Sequence, residues 1–534
     1  NPSLQIGNSN WAIKEDNLLG YSTAGTRFVP QPITMTRASA GTRVNSSGLV
    51  ETVELLGSNV VINGDFATDS NWTKGTGWTI SSGSANCDGS QTGTTSLTPL
   101  LDNVVNNVTY IVEYTISNYS SGSISIKLGN TGYGAVRTAN GTYTEEIKAL
   151  ATTFPRSQFN ADSSFDGSID NVSIKESTKN NLARVDYDGT ASSLLVEPQR
   201  TNLFEYSESF NNIQWSRSSV TVVDNSSQSP DGTNNASLLY PSSSGDYRYM
   251  HNSTTYSTSI YTISALVKAS GKNVVWFYIN SSSQIGFIYY DLSDGTTQVV
   301  PGSAGTPTAT IVSYGNDWYK ISYTSGNAFA LGSGSGIGVC DAKGDPAVTA
   351  NGTDGVLVWG LQLEAGSYAT SYIPTSGSTV TRVKDQYSKT GISNLINSEE
   401  GVLFVEFYAE SDSTEKWITL SDGTTTNRVI VYIPASNTLR VYVQNSSGGQ
   451  ADLGVSITLG QFNKVAFKYK ENDFALWLNG VEVATDSSGG VPVGLDRLNF
   501  SAASGIYNYF NGKVKQLQVY KTALTDSELA TLTT

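Results

Sequence analysis

The sequence predicts an all-β protein: tandem antiparallel β-sandwiches followed by one short C-terminal helix. Charged residues make up 15% of the 534 positions, against about 25% in an average globular chain. Gly (51 residues) and Tyr (29), with Ser, Thr and Asn, fill the difference, which is the make-up of short strands joined by many turns. Apolar residues recur at every second position in run after run, whereas Ala, Leu, Glu and Lys at helical spacing are nearly absent. The length exceeds what one hydrophobic core serves, so roughly three or four domains are expected.

The formal net charge of −14 works against long-range attraction to nucleic acid or an anionic membrane, and no basic run reverses it. No stretch of about 18 apolar residues occurs, so no membrane span is expected. Cys87 and Cys340 lie far apart, in what the strand pattern reads as different domains, and are expected to be semi-buried thiols without a disulfide framework. The chain begins at Asn1 without Met, which leaves a trimmed leader open.

Taken in order, ITMTRASAGTRVNSSGLVETV (33–53) reads as two short strands around the turn Asn45-Ser-Ser-Gly48. NVVINGDFATDSNWTKGTGW (59–78) precedes the alternating strands VTYIVEYTIS (108–117) and GSISIKLGN (122–130), then GTYTEEIKAL (141–150) and FDGSIDNVSIKE (165–176). The same order returns in NLFEYSESFNNIQWS (202–216), YTISALVKAS (261–270), NVVWFYINSS (273–282) and NDWYKISYTSG (316–326). It closes on DGVLVWGLQLEAGSYATSYIP (354–374), where Val356, Val358, Gly360 and Gln362 are expected on one face and Leu357, Trp359, Leu361 and Leu363 on the other. Phe66 with Trp72 thus parallels Phe210 with Trp215: one sandwich in two divergent copies. Pro374 and the Thr-Ser-Gly-Ser-Thr after it read as a linker. A third set of strands follows, GVLFVEFYAE (401–410), RVIVYI (428–433), TLRVYVQ (438–444), NKVAFKYK (463–470) and FALWLNGVEVAT (474–485). Asn479-Gly480 marks a hairpin, and Thr525-Asp-Ser-Glu528 marks a capping box opening the helix.

Several segments resemble known families. WGLQLEAG, with SLLVEPQRTNLFEYSESF (193–210) and the TRAS-x-x-TRVN run, is similar to all-β virion proteins of tailed phages, in which a jelly roll of carbohydrate-binding-module type ends on such a strand. In those proteins the TRAS run continues shortly into a segment like NLARVDYDGTASSLLVEPQRTNL, which here appears only at 181–203. The resemblance therefore implies an N-terminal attachment element over 1–57, resumed at 179–200, an inserted carbohydrate-binding-like jelly roll over 58–178, and a second jelly roll over 201–383. The ending NGKV-x-x-LQVY-x-x-ALTDSEL resembles a laminin-G or concanavalin-like sandwich, placing that domain at 384–534. The phage resemblance also implies a virion surface protein, a head or tail fibre or baseplate-peripheral component, outside the cell. Its partners would be cell-surface glycans and other virion proteins, and it would be a homo-oligomer, a trimer by analogy.

For chemistry there is little. His251 is the sole imidazole, read as a surface residue, and neither Cys nor any Ser sits in a nucleophile motif. Glu410-Ser-Asp412-Ser-Thr-Glu415 has the E-x-D-x-x-E spacing of concanavalin-like endoglucanases, but Ser411, Ser413 and Thr414 cannot anchor it as a strand, so it is expected to be a solvated loop and the protein a binder, not an enzyme. A glycan depolymerase using these three residues and a secreted bacterial adhesin or surface-layer protein are the alternatives. Sugar binding needs aromatic faces with Asn, Asp and Gln nearby. Trp78, Trp417, Tyr247, Tyr249, Tyr507 and Tyr509 are expected to be exposed and to supply it, whereas Trp72, Trp215 and Trp477 fall at core positions. No cofactor is required. The jelly-roll resemblance implies a structural Ca2+ at Asp65 and Asp170, although Ala67 stands where the family has Glu.

Overall fold

The computed structural model describes residues 1–8, 11–14, 17–24, 27–102, 104–150, 156–281, 285–301, 305–410, 414–434 and 436–534. The chain divides into two compact units, one made of Asn1–Val53 with Asn180–Thr534 and the other of Glu54–Lys179.

The smaller unit is a two-sheet sandwich. One sheet runs Gly141–Lys148, Thr109–Ser121, Asp166–Thr178, Ser84–Asp88, Trp78–Ser81, and its partner runs Gly132–Tyr133, Ile124–Leu128, Ser157–Ala161, Thr95–Pro99, Trp72–Lys74. Alternation decides the faces: Tyr110, Val112, Tyr114 and Ile116 point inward from one strand, Ile124, Ile126 and Leu128 from another. Gly64 is required where the entry loop meets the closing strand, since a Cβ there would lie 2.0 Å from the Val172 carbonyl oxygen. Trp72 packs its ring 4.9 Å from Phe66 and donates Nε1–H to the Asn63 carbonyl at 2.9 Å.

In the larger unit, the repeated sandwich spans roughly residues 200–382. Its six-stranded sheet has the order Val220–Ser227, Ala236–Pro241, Gly355–Ala365, Tyr261–Ser270, Trp318–Thr324, Thr308–Ser313. The closing strand Gly355–Ala365 is central and is buried at every position but the last. Its phase differs from the regular alternation expected. Gly360 takes φ +62 and the ladder slips between Ser264 and Leu266, a bulge that carries one residue out of step. Leu361 and Leu363 therefore join Val356 and Val358 in the sandwich core, while Leu357 and Trp359 meet Val50 and Tyr372 on the other side. The seven-stranded partner sheet has the order Trp215–Ser218, Arg248–Asn252, Phe329–Cys340, Val274–Ser281, Ile285–Asp291, Thr296–Val300, with Tyr256–Ser259 also on Phe329–Cys340.

The C-terminal sandwich draws on both ends of the chain. Glu400–Tyr408 lies between Phe462–Lys470 and Gly512–Tyr520. Leu4–Gly7 and Ala191–Val196 both pair with Gly512–Tyr520. Arg27–Thr36 reaches the other sheet at Gln386–Lys389, which continues through Arg497–Asn499, Lys416–Ser421, Arg428–Ile433, Thr438–Asn445 and Gly448–Ser456. The strands of the N-terminal stretch complete this sandwich, and Leu4, Ile6, Leu18 and Ile33 sit in one core with Leu403, Val405 and Leu517. Asn479 (φ +49) and Gly480 (φ +89) make the expected tight hairpin between Phe474–Leu478 and Val481–Asp486. Thr525 and Glu528 form the reciprocal capping box of helix Asp526–Thr533, whose Leu529 packs against Val402, Phe404 and Trp477.

The segment read as a linker is structured. Val380–Arg382 pairs with Arg200–Asn202, and Arg382 and Asp385 are each 1% exposed. Asp385 accepts from Arg37 at 2.9 Å and also pairs with Arg184; Glu197 accepts from Arg184 at 2.7 Å and lies 3.0 Å from Arg382. Buried charges persist only when paired and bonded in this way. Five such groups from four chain segments outweigh the Pro, Gly and Ser content that suggested a free connector.

Candidate functional site

Alternation in the strands Lys416–Ser421, Arg428–Ile433 and Thr438–Asn445 sends Ile418, Leu420, Val429, Val431, Leu439 and Val441 into the core. Trp417, Tyr432 and Arg440 are left side by side on the outer face, with Ser421, Arg428 and Gln444 as a parallel row. Trp417 is half-buried, its ring 5.4 Å from Tyr432. The Arg428 guanidinium lies 5.5 Å over Trp417 and 5.8 Å over Tyr442, and its Nε and Nη2 donate to Gln444 Oε1 at 3.1 and 2.7 Å.

The loop between Phe500 and Phe510 closes this face on one side. Both Phe rings are core residues, 1% and 3% exposed, and Trp417 N–H donates to the Asn508 carbonyl at 3.2 Å. The loop presents Tyr507, 6.3 Å from Trp417 and edge-on at 67°. It also presents Tyr509, whose ring sits 3.7 Å beneath Lys384 Nζ. Glu415 Oε2 accepts from Trp417 Nε1 at 3.1 Å and from Asn508 Nδ2 at 2.7 Å. Trp417 and Tyr507 thus meet on one half-exposed aromatic face with a carboxylate, amides and a guanidinium around it, whereas Tyr509 joins Trp417 through a backbone bridge and has its ring against Lys384. Burial raises the Tyr432 phenol above its ordinary value despite the opposing Arg440 charge, so it stays a neutral donor.

Tyr247 and Tyr249 belong to a different place, the outer face of the seven-stranded sheet in the repeated sandwich. Two rows cross it: Tyr249, Gly338, Trp276 and Tyr289, then His251, Gly336, Tyr278 and Phe287. The alternate glycines of GSGSGIG make room for rings, since a Cβ at Gly338 would lie 2.2 Å from the Trp276 indole. Trp276, Tyr278 and Tyr289 are buried at 1%, 5% and 3% exposure. Tyr247, in the left-handed region at φ +56, lies over Trp276 and Phe287 with ring centroids 6.3 and 5.8 Å away. This is a small second core, and Tyr247 is its exposed rim.

Three expectations need correction. Trp78 is buried, 5% exposed and tilted against Phe165 at 6.1 Å, because Trp78 and Ile80 share the inward side of the strand Trp78–Ser81; it offers no face to a ligand. His251 is half-buried between Tyr249 and Tyr278, its Nδ1 unbonded, and burial lowers its pKa below the usual imidazole value. The two thiols are fully buried, and burial pushes Cys340 up to about 12.

Asp65 and Asp170 each bond their own neighbours, Ala67 N–H at 3.4 Å and Asn171 N–H at 2.6 Å. No group of three or more His, Cys, Asp or Glu able to hold a metal occurs among the described residues. The Ala67 side chain offers no carboxylate beside Asp65 and Asp170, so the acidic set that the resemblance implies lacks one member. Asp412 lies outside the described residues. Its companions are engaged separately: Glu410 accepts from the Tyr408 hydroxyl at 2.8 Å and Glu415 from Trp417 and Asn508. Among the described residues no helix is long and apolar enough to cross a membrane.

Arg428, Tyr432, Tyr442, Gln444 and Asn508 escaped sequence reasoning. The alternation RVIVYI already puts Tyr432 opposite Val431, but only strand order reveals that it neighbours Trp417.

Residues 385–530 match the Laminin_G_3 family, described as the concanavalin A-like lectin/glucanases superfamily. No curated protein sequence matches the chain. Among solved structures, similar ones include the CBM40 of the Ruminococcus gnavus IT-sialidase bound to alpha2,3 sialyllactose, at 19% identity over 26% of this chain and 84% of that one, TM-score 0.24. Domain 4 of a GH43 extracellular arabinanase from Geobacillus stearothermophilus, in complex with arabinotriose, is 13% identical over 32% of this chain and 83% of that one, TM-score 0.24. Trypanosoma rangeli sialidase with the inhibitor DANA is 10% identical over 93% and 98%, TM-score 0.23.

Proposed function

We propose that the protein is a non-enzymatic glycan binder whose C-terminal sandwich holds a saccharide on the Trp417 face. The observation that carries this reading is the joining of Trp417, Tyr507 and Tyr432 with Glu415, Asn508 and Gln444 on one half-exposed surface. Aromatic rings accept the apolar side of a pyranose while the amides and carboxylate bond its hydroxyls. The match of residues 385–530 to a lectin-containing superfamily supports the same reading. The finer assignment, adhesion from the surface of a tailed-phage virion, rests on the TRAS-x-x-TRVN and WGLQLEAG segments.

The test is a glycan array probed with the full chain and with Trp417→Ala. Retention by the parent and loss of about tenfold or more in the variant is expected, the cost of removing one stacked ring. Equal retention by both would move the site elsewhere. Incubation of candidate polysaccharides with the parent and Glu415→Gln checks the absence of chemistry: product formation by the parent, abolished in the variant, would make the protein a depolymerase.

A further inference from the structure

Resting on that reading of the Trp417 face, we infer that its ligand is an acidic saccharide, with a carboxylate or sulfate seated on Arg428 beside the ring that stacks on Trp417. The charges on the face are few and unequally engaged. Arg440 and Asp452 satisfy each other as an ion pair. Glu415 spends Oε2 on Trp417 and Asn508. Arg428 is held flat by two rings and by Gln444, which uses Nε and Nη2. Its Nη1 has no partner among the described residues and is not buried. Lys384 likewise has only the Tyr509 ring beneath it, and Tyr509 is bridged through its backbone to Trp417.

A guanidinium with an open edge thus lies on the aromatic platform itself, and a second cation, Lys384, stands over the Tyr509 ring, on a chain whose formal charge is −14. A guanidinium held by Gln444 over two rings, with one N–H edge left free, suits a planar or tetrahedral oxyanion better than a neutral hydroxyl. Glu415 opposes an anion on its own side of Trp417. That fixes orientation, with the acidic group toward Arg428 and neutral hydroxyls toward Glu415 and Asn508.

The full chain is tested on immobilised matched pairs: hexagalacturonate and its methyl ester, hyaluronan hexasaccharide and its carboxyl-reduced form, and keratan sulfate and its desulfated form. Binding confined to the charged member of at least one pair is expected. It should weaken with added salt and fall about tenfold in Arg428→Gln, the scale of one charge-assisted bond. Whichever pair responds separates carboxylate from sulfate. Neutral members bound as well as charged ones, and lost in Trp417→Ala but not in Arg428→Gln, would overturn the acidic ligand while leaving the glycan reading intact. Retention of no member would overturn both. Thermal unfolding of each variant alongside the parent separates a lost contact from a lost fold.

Discussion

Glu197 shows how a single carboxylate can be made indispensable. Its burial alone would raise its pKa, but Arg382 and Arg184, with bonds from Ser371, outweigh that and hold it well below its ordinary value of 4.5. A folded pKa lower than the unfolded one means stability that is fully present above about pH 4.5 and lost as pH falls through the folded value. Glu197→Gln leaves two guanidiniums short of a countercharge and is expected to cost about 3–5 kcal/mol at neutral pH. In urea titrations the gap between parent and variant should narrow below pH 4.5; a gap constant down to pH 3 would contradict the assignment. His251 offers a cleaner readout, as the one imidazole in the chain. Burial without a partner for Nδ1 favours the neutral form, so its NMR titration should fall below 6.5, the ordinary value. The folded state then binds fewer protons than the unfolded, and this residue costs stability as pH drops through 6.5 and below.

At the scale of strands, glycine position matters as much as hydrophobic pattern. Gly338→Ala drives a methyl into the Trp276 indole and is expected to destabilise by about 1–3 kcal/mol, read as a lower denaturant midpoint with unchanged slope. The same substitution at Gly48, where a Cβ would meet nothing within 4 Å but φ is +78, tests backbone strain alone and should cost less, about 1 kcal/mol. The period-two runs made long strands such as Thr109–Ser121, Tyr261–Ser270 and Glu400–Tyr408 legible but missed Arg27–Thr36, Phe329–Cys340 and Gly448–Ser456, whereas the Asn-Gly hairpin and capping box were readable because each is a local rule satisfied by adjacent residues. The Gly360 bulge was not, since a positive φ leaves no mark in composition, and every inward residue beyond it changed sides. Trp78 was misread although its alternation with Ile80 was available. Of the Trp417 face, Trp417 and Tyr507 were legible, whereas Tyr432, Tyr442 and the polar surroundings were not, because Arg428, Gln444 and Asn508 arrive with them from strands and a loop whose adjacency is set by tertiary pairing.

Across the larger unit, the boundary suggested by sequence similarity and the boundary suggested by packing disagree. The matched family covers 385–530, yet the sheet it names is completed by Leu4–Gly7 and Ala191–Val196 on Gly512–Tyr520, and its entry at Asp385 is locked to Arg37 and Arg184. A fragment of residues 385–534 therefore bares one side of Gly512–Tyr520 and removes both cationic partners of Asp385. It is expected to be less stable than the same sandwich in the full chain and to self-associate through the bared strand; a monodisperse fragment with the parent's melting temperature would show that the added strands are dispensable. The pairing of Leu4–Gly7 with the strand ending at Tyr520 also sets a schedule for biosynthesis. Ser3 bonds Val519 across 516 residues, so on a ribosome adding about 5–20 residues per second the first strand waits roughly half a minute to two minutes for its partner. Until then Leu4–Gly7 has only its local neighbour Asn17–Ala24 to pair with, and one edge of the nascent segment stays open.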